Sequence, residues 1–340
     1  MAHPITAVRK RHEAPRLAIF NHKGGVGKTT LTINLAFALT ELGLRVLLVD
    51  SDPQCNLTSY LLSEEKVNEL LDHSDEADGA TIWSALKPVV DGSGQPIRIP
   101  LLSIAGKLLF VPGDIRLSEF ESELSTFWGE SFQRKVRGFR GTSALSSLVD
   151  SLATAHKIDV ILYDSGPNIG PLNRAILLDC DYFLVPAACD AFSIRAVKIL
   201  GHELSKWIAD WEVVKKLAPD NLYLLPGLPK PIGYVPQRFK VYGGAPAQAY
   251  ASWLPRIEKS VRDDLITVLK RLNPELTSSA RAPLRLASIK DFGSLALSAQ
   301  SEGVAIWRSE KATATQAAEA HSDFLKLAKS VLQRINLPLP

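Results

Sequence analysis

Disulfide chemistry has almost nothing to build on in this chain. Its three cysteines, Cys55, Cys180 and Cys189, are scattered without a pairing pattern. That excludes a disulfide framework and points to a reducing compartment, the cytoplasm. The seven histidines are equally dispersed. They show no metal-ligand spacing and read as surface or internally satisfied side chains. No apolar run reaches the roughly 18–20 residues that a membrane-spanning helix needs, and the stretch through His12 lacks the apolar core of a secretory signal. Formal net charge is only +3, which permits a local basic face without demanding nucleic acid. There is no internal repeat and no low-complexity tract. What is left is an ordinary globular balance, 46% hydrophobic and 22% charged over 340 residues, enough for one large α/β domain or two small ones.

After a short polar arm over residues 1–15, compact apolar runs alternate with helical stretches. The runs are residues 17–20, 45–49, 158–163, 182–186, 222–225 and 231–235, and several are rich in β-branched residues. Serial strand–helix units of this kind predict an α/β fold: a doubly wound, mostly parallel sheet with helices on both faces. Two segments break the rhythm. Residues 72–80 are acidic and small and read as a solvated loop. Residues 88–112 carry Pro88, Gly92, Gly94, Pro96, Pro100 and Pro112 around two apolar runs, which reads as an extra hairpin or edge pair. The expected organisation is one domain over residues 16–336, with an inserted loop and hairpin region near 72–112.

The most informative stretch is Lys23-Gly24-Gly25-Val26-Gly27-Lys28-Thr29-Thr30. It lies between an apolar strand and an apolar helical pattern, so it reads as a glycine loop opening a helix. Such a loop folds its N–H groups around phosphate oxygens. Lys28 would reach the β- and γ-phosphates, and the Thr29 hydroxyl would sit on a magnesium ion. Lys23 adds a second cation, in place to reach a phosphate of a partner subunit. Val49-Asp50-Ser51-Asp52-Pro53-Gln54 ends the second strand, where open α/β sheets bind ligands. Of Asp50 and Asp52, one would hold the magnesium shell or brace Thr29, and the other would orient a water towards the γ-phosphate. Tyr163-Asp164-Ser165-Gly166-Pro167 is an apolar strand ending in an acid, the Walker B pattern. Each element alone has a plainer reading: a glycine turn, an Asp-Pro turn, a strand end. Three of them in order, each at a strand end, argue for a nucleotide site.

These residues resemble the ParA/MinD family of deviant Walker A ATPases, and the Asp-x-Asp-Pro-Gln form at residues 50–54 is closer to ParA than to MinD. The resemblance implies that Lys23 crosses an ATP-sandwich homodimer to the partner's phosphates. It makes Lys28 the ordinary loop lysine, Thr29 a magnesium ligand, Asp52 the residue that positions the hydrolytic water, and Asp164 the Walker B acid. The adenine would rest near Pro236-Gln237-Arg238 or residues 286–291. Two departures stand out. The family often has Asp-x-Pro-Pro where this chain has Asp164-Ser165-Gly166-Pro167, which loosens the switch without removing it. Fifteen residues before the first strand are too few for the helix-turn-helix domain of larger plasmid ParA proteins, so operator reading is not expected.

Basic residues gather in the C-terminal half: Arg238 and Lys240 around Phe239, then Arg256, Lys259 and Arg262 on a helical stretch. The resemblance implies non-specific DNA binding there, with Arg238, Lys240, Arg256 and Lys259 as candidates. The plainer reading is a solvated, ion-paired face, since Glu258, Asp263 and Asp264 are interleaved. The basic amphipathic stretch over residues 324–335 reads as a final helix packed on the sheet; the alternative is a membrane-surface helix. Trp207 and Trp211 share a helix face and read as packing residues. Three functions follow: a cytoplasmic, DNA-coating partition ATPase stimulated by a ParB-like or other partner; a MinD-like membrane-recruited regulator; and a nucleotide-gated subunit of a larger complex. A relative of the nitrogenase iron protein is disfavoured, because no cysteine follows the Walker B acid.

Overall fold

The computed structural model describes residues 12–239, 241–242, 245–246, 248–277 and 283–339. Short runs of Val, Ile, Leu and Phe form the strands β1 (Arg16–Ile19), β2 (Val46–Ser51), β3 (Leu102–Ala105), β4 (Leu108–Val111), β5 (Val160–Ser165), β6 (Tyr182–Ala188) and β7 (Lys230–Phe239), joined by a two-residue strand, Ile289–Lys290. They make one eight-stranded sheet in the order Ile289–Lys290, β7, β6, β1, β5, β2, β4, β3. Among these strands only β3 runs antiparallel to its neighbour. β1, β2 and β5 are buried along their whole length, which is why they read as unbroken apolar runs and not as alternating ones.

Helices cover both faces, as expected of a doubly wound fold. Against one face pack α1 (Lys28–Glu41) and the helices Ser294–Glu302 and Ala314–Ile335. Against the other pack the helices Ile82–Val90, Leu117–Phe132, Ala144–His156, Pro171–Asp179 and Ala191–Leu217. The last helix turns Phe324, Leu327, Ala328, Val331, Leu332 and Ile335 into the core, so its apolar face is taken up by packing and not left for a membrane surface. No helix among the described residues is long and apolar enough to cross a membrane. Trp207 and Trp211 are buried, and Trp128 meets Trp211 edge-on at 5.2 Å.

Two local expectations need correction, and a third is met. Residues 222–225 form no strand; the segment runs extended behind the helix Ala191–Leu217, where Leu225 is buried and its carbonyl accepts from Trp211 Nε1 at 3.0 Å. Its apolar side chains serve packing, and the place beside β6 belongs to β7. Pro88 lies inside the helix Ile82–Val90, whose start is fixed by a capping box between Thr81 and Ser84. The expected hairpin exists as β3 and β4, but β4 also pairs in parallel with β2 and so extends the main sheet.

A buried charge cluster lies at the foot of the sheet. Arg16 is fully buried; its Nη1 reaches Asp179 Oδ1 at 2.5 Å and its Nη2 reaches Asp150 at 2.9 Å. The Tyr163 hydroxyl donates to Asp179 at 2.7 Å. Burial opposes the Arg16 charge, but Asp179 and its neighbours hold the guanidinium firmly protonated.

Candidate functional site

β1 sits between β5 and β6, so the loop after it opens at the point where strand order reverses, the usual ligand crevice of such sheets. Gly25 (φ 70°) and Gly27 (φ 81°) take left-handed conformations there. Gly27 starts α1 without a side-chain cap, and no acidic residue occupies the first turn. The helix therefore presents unsatisfied N–H groups and its positive end to the crevice. A cavity of about 580 Å³ lies over it, walled by Gly24, Gly25, Gly27, Lys28, Thr29, Thr30, Asp52 and Gln237. Val26 is buried within the loop and, like Pro236, stands outside that wall.

Lys28 is almost fully buried. Burial pulls its pKa below the ordinary lysine range, against the opposing pull of Asp164 and Asp52. Its Nζ touches the Lys23 carbonyl at 3.5 Å. The Thr29 hydroxyl donates to Asp164 Oδ2 at 2.8 Å, and the Thr32 hydroxyl to Asp164 Oδ1 at 3.2 Å. Burial pushes the Asp164 carboxyl up to about 6 despite the Thr29 bond and the Lys28 charge. Thr29 and Asp164 form a hard oxygen pair, with a desolvated carboxyl short of positive charge beside an anion-ready loop. That donor set fits magnesium arriving with a nucleotide.

The two acids of β2 part ways. Asp50 and Asp164 are in register across β2 and β5. Asp50, however, accepts from Thr58 N at 2.8 Å and Thr58 Oγ1 at 2.6 Å, and from Asp52 N at 3.2 Å. It neither braces Thr29 nor lines the cavity, so its placement in the metal shell is corrected: its carboxyl organises the turn after β2. Burial, with the Asp164 charge adding, pushes it up to about 7. Asp52 does face the cavity. Its Oδ1 accepts from Gln54 N at 3.0 Å and lies 3.1 Å from where a Cβ on Gly166 would stand.

Lys23 is drawn to the other side of the loop. Its ammonium pairs with Asp190, lies 3.4 Å from Ser193 Oγ and sits over the Phe192 ring at 5.9 Å. Asp190 also caps the helix Ala191–Leu217 by accepting from Ser193 N at 2.8 Å. Gln237, at the end of β7, covers the glycine loop: its Oε1 stands 2.4 Å from where a Cβ on Gly27 would be. The far wall comes from Ile289, Lys290, Asp291, Phe292 and Gly293, then Ala296, Leu297 and Gln300. Only the first part of that wall was expected. The short helix Ser294–Glu302 carries no motif, and only Gly293 ahead of it hints at a turn.

Of the basic candidates, Arg238 lies on β7 and Lys240 lies outside the described residues. Arg256 is exposed, with its guanidinium 5.2 Å over the Trp253 ring. Lys259 pairs with Asp263 at 2.6 Å, and Arg262 with Glu258 at 3.0 Å, so carboxylates partly offset this face.

The AAA domain family matches residues 15–215. The sporulation initiation inhibitor protein Soj of Bacillus subtilis is 30% identical over 184 residues, 54% of this chain and 62% of Soj, so the chain spans less than two thirds of that relative. In three dimensions the chain is similar to protein DIP2308 of Corynebacterium diphtheriae, with a TM-score of 0.71 and 24% identity over 94% of this chain and 98% of that one. It also shares its fold with pNOB8 ParA bound to nonspecific DNA, at a TM-score of 0.56 and 20% identity over 95% of this chain and 99% of that one. With more than half its length matched and the signature loop in place, the chain belongs to the AAA domain family and, within it, to the ParA/MinD class of P-loop ATPases, a family of nucleotide-hydrolysing enzymes.

Proposed function

We propose that this chain is an ATP-dependent dimerising switch of the ParA type that hydrolyses ATP weakly by itself and faster with a partner protein. The observation that carries the reading is the Thr29–Asp164 hydrogen bond beside a buried Lys28 at an uncapped helix start. In this reading the loop N–H groups and Lys28 bind the phosphates, and Thr29 and Asp164 hold magnesium. Magnesium held there would supply charge neutralisation to the terminal phosphates. Asp52 orients the attacking water, helped by its fixed bond to Gln54 N. Such chemistry runs mainly on positioning and charge. Lys23 acts in trans on a second copy's phosphates, which requires it to leave Asp190. The dimer then offers non-specific DNA a basic face built from Arg238, Lys240, Arg256 and Lys259. Two things support that part: pNOB8 ParA, which shares the fold, has been seen bound to nonspecific DNA, and the basic residues themselves gather in one stretch of this chain.

A second reading keeps the nucleotide switch and drops the DNA; the pairing of Lys259 and Arg262 with carboxylates favours it. The switch itself is tested by size-exclusion chromatography with magnesium and ATP. Lys28→Ala should bind no nucleotide and stay monomeric. Asp52→Ala should bind ATP and run as a long-lived dimer. An Asp52→Ala protein that binds ATP yet runs as a monomer refutes the dimer switch.

A further inference from the structure

The loop that follows Asp164, residues 166–170, is held by groups outside the nucleotide cavity. Asn173 Nδ2 lies within hydrogen-bonding distance of Gly166 O (3.1 Å), Asn168 O (2.9 Å) and Asn168 Oδ1 (2.6 Å). Gly170 N donates to the same Asn168 oxygen at 3.1 Å. Behind them stands Glu121, on the helix Leu117–Phe132, its carboxylate set against Gly170 and beside the Leu172 N–H and the Asn168 side chain. Gly170 leaves room for it: a Cβ there would stand 2.2 Å from Glu121 Oε1. At the front of the chain of contacts, Gly166 rests against Asp52, with 3.1 Å between its would-be Cβ and Asp52 Oδ1.

Glu121 stands in an unfavourable place for an acid. Partial burial raises its pKa, the Asp52 charge raises it further, and the nearby Leu172 N–H and Asn168 side chain work the other way. A helix start such as Pro171–Asp179 is ordinarily capped by a local Ser, Thr, Asp or Asn. Here Gly170 is the N-cap residue and makes no side-chain cap bond, and a carboxylate from a separate helix reaches in.

We propose that Glu121 is a positioning residue for hydrolysis. Through Asn168 and Asn173 it sets where the Gly166 backbone stands against Asp52, and so where Asp52 holds the attacking water. The inference rests on the ATPase reading above. It assigns the helix Leu117–Phe132 a part in turnover that no motif announces.

The test is steady-state phosphate release with magnesium-ATP, alongside binding of a fluorescent ATP analogue and thermal melting. Wild type, Glu121→Ala, Glu121→Gln, Asn168→Ala and the double alanine variant are compared. Glu121→Ala and Asn168→Ala should each lower kcat on the order of tenfold. KM and analogue affinity should stay within about twofold, the pattern of a lost transition-state interaction. Glu121→Gln keeps an acceptor oxygen and should recover most of kcat. The double variant should be no slower than the slower single one, because both act through one chain of contacts. Wild-type kcat in a folded Glu121→Ala overturns the inference, as does a loss confined to KM or a double variant whose loss is the product of the two. If Glu121→Ala does not fold, the exposed Asn168 and the Gln variant carry the same decision. A wild-type chain that hydrolyses no ATP, alone or with a stimulating partner, instead overturns the ATPase reading, and the inference with it.

Discussion

Gly27 shows how much of the site rests on single atoms. Its left-handed φ of 81° and the Gln237 oxygen 2.4 Å from its missing Cβ leave an added methyl group both conformationally strained and crowded. Gly27→Ala should cost about 1–2 kcal/mol from the backbone alone. It should also push Gln237 off the loop and weaken ATP binding with little change in far-UV circular dichroism; unchanged ATP affinity by calorimetry would contradict this. The loop glycines, Lys28, Thr29 and Asp164 were legible in the sequence because they fall in contiguous motifs whose spacing is set by the loop itself. Asp50 and Asp52, two residues apart, would share a face if the strand ran on; β2 ends at Ser51, so Asp50 bonds to Thr58 while Asp52 turns to the crevice, and the sequence does not mark that strand end. Asp190, Asn173 and Glu121 left no signal. Each is an isolated polar residue brought to the site by tertiary folding, and nothing local marks it.

At the level of elements, the helix Ala314–Ile335 ties the two ends of the chain together. Phe324 is fully buried, stacked on Phe292 at 6.3 Å and tilted against Trp307 at 5.7 Å. Phe324→Ala should destabilise the fold by about 3–5 kcal/mol, read as a lower midpoint in urea with an unchanged slope. A change under about 1 kcal/mol would mean that the face is not core. The amphipathic spacing of that helix was plain in the sequence, but spacing alone does not separate a core face from a membrane face; the partner surface on α1 does. Residues 222–225 failed for the converse reason. An apolar run of four residues satisfies a strand and an extended packing segment equally well, and only the strand already beside β6 decides. The helix containing Pro88 was hidden because a proline suggests a break, although here Thr81 and Ser84 fix the helix start ahead of it.

For the molecule as a whole, the balance of charge matters more than any one pair. A net charge of +3 gives little long-range attraction to DNA, so binding would depend on a local face assembled by dimerisation. If about six phosphates are neutralised per dimer, the logarithm of affinity should fall against the logarithm of salt with a slope of roughly −5. Filter binding of random-sequence duplex with and without ATP measures that slope. Binding that is absent in ATP at low salt would favour the reading without DNA. The class of fold was readable from the alternating runs, but the strand order was not, because the order depends on which crossovers pack over which face. The sheet also fixes how the site can move. Arg16 clamps Asp179, the last residue of the helix behind the loop at 166–170, to the foot of β1, and breaking such a buried pair by removing a partner costs about 3–5 kcal/mol. That helix is held by charge at its base and by the amide hydrogen bonds of Asn173 at its head. Were phosphate binding to shift the loop, that helix would turn about Asp179 like a lever, with the widest swing at Gly170, beside the carboxylate of Glu121.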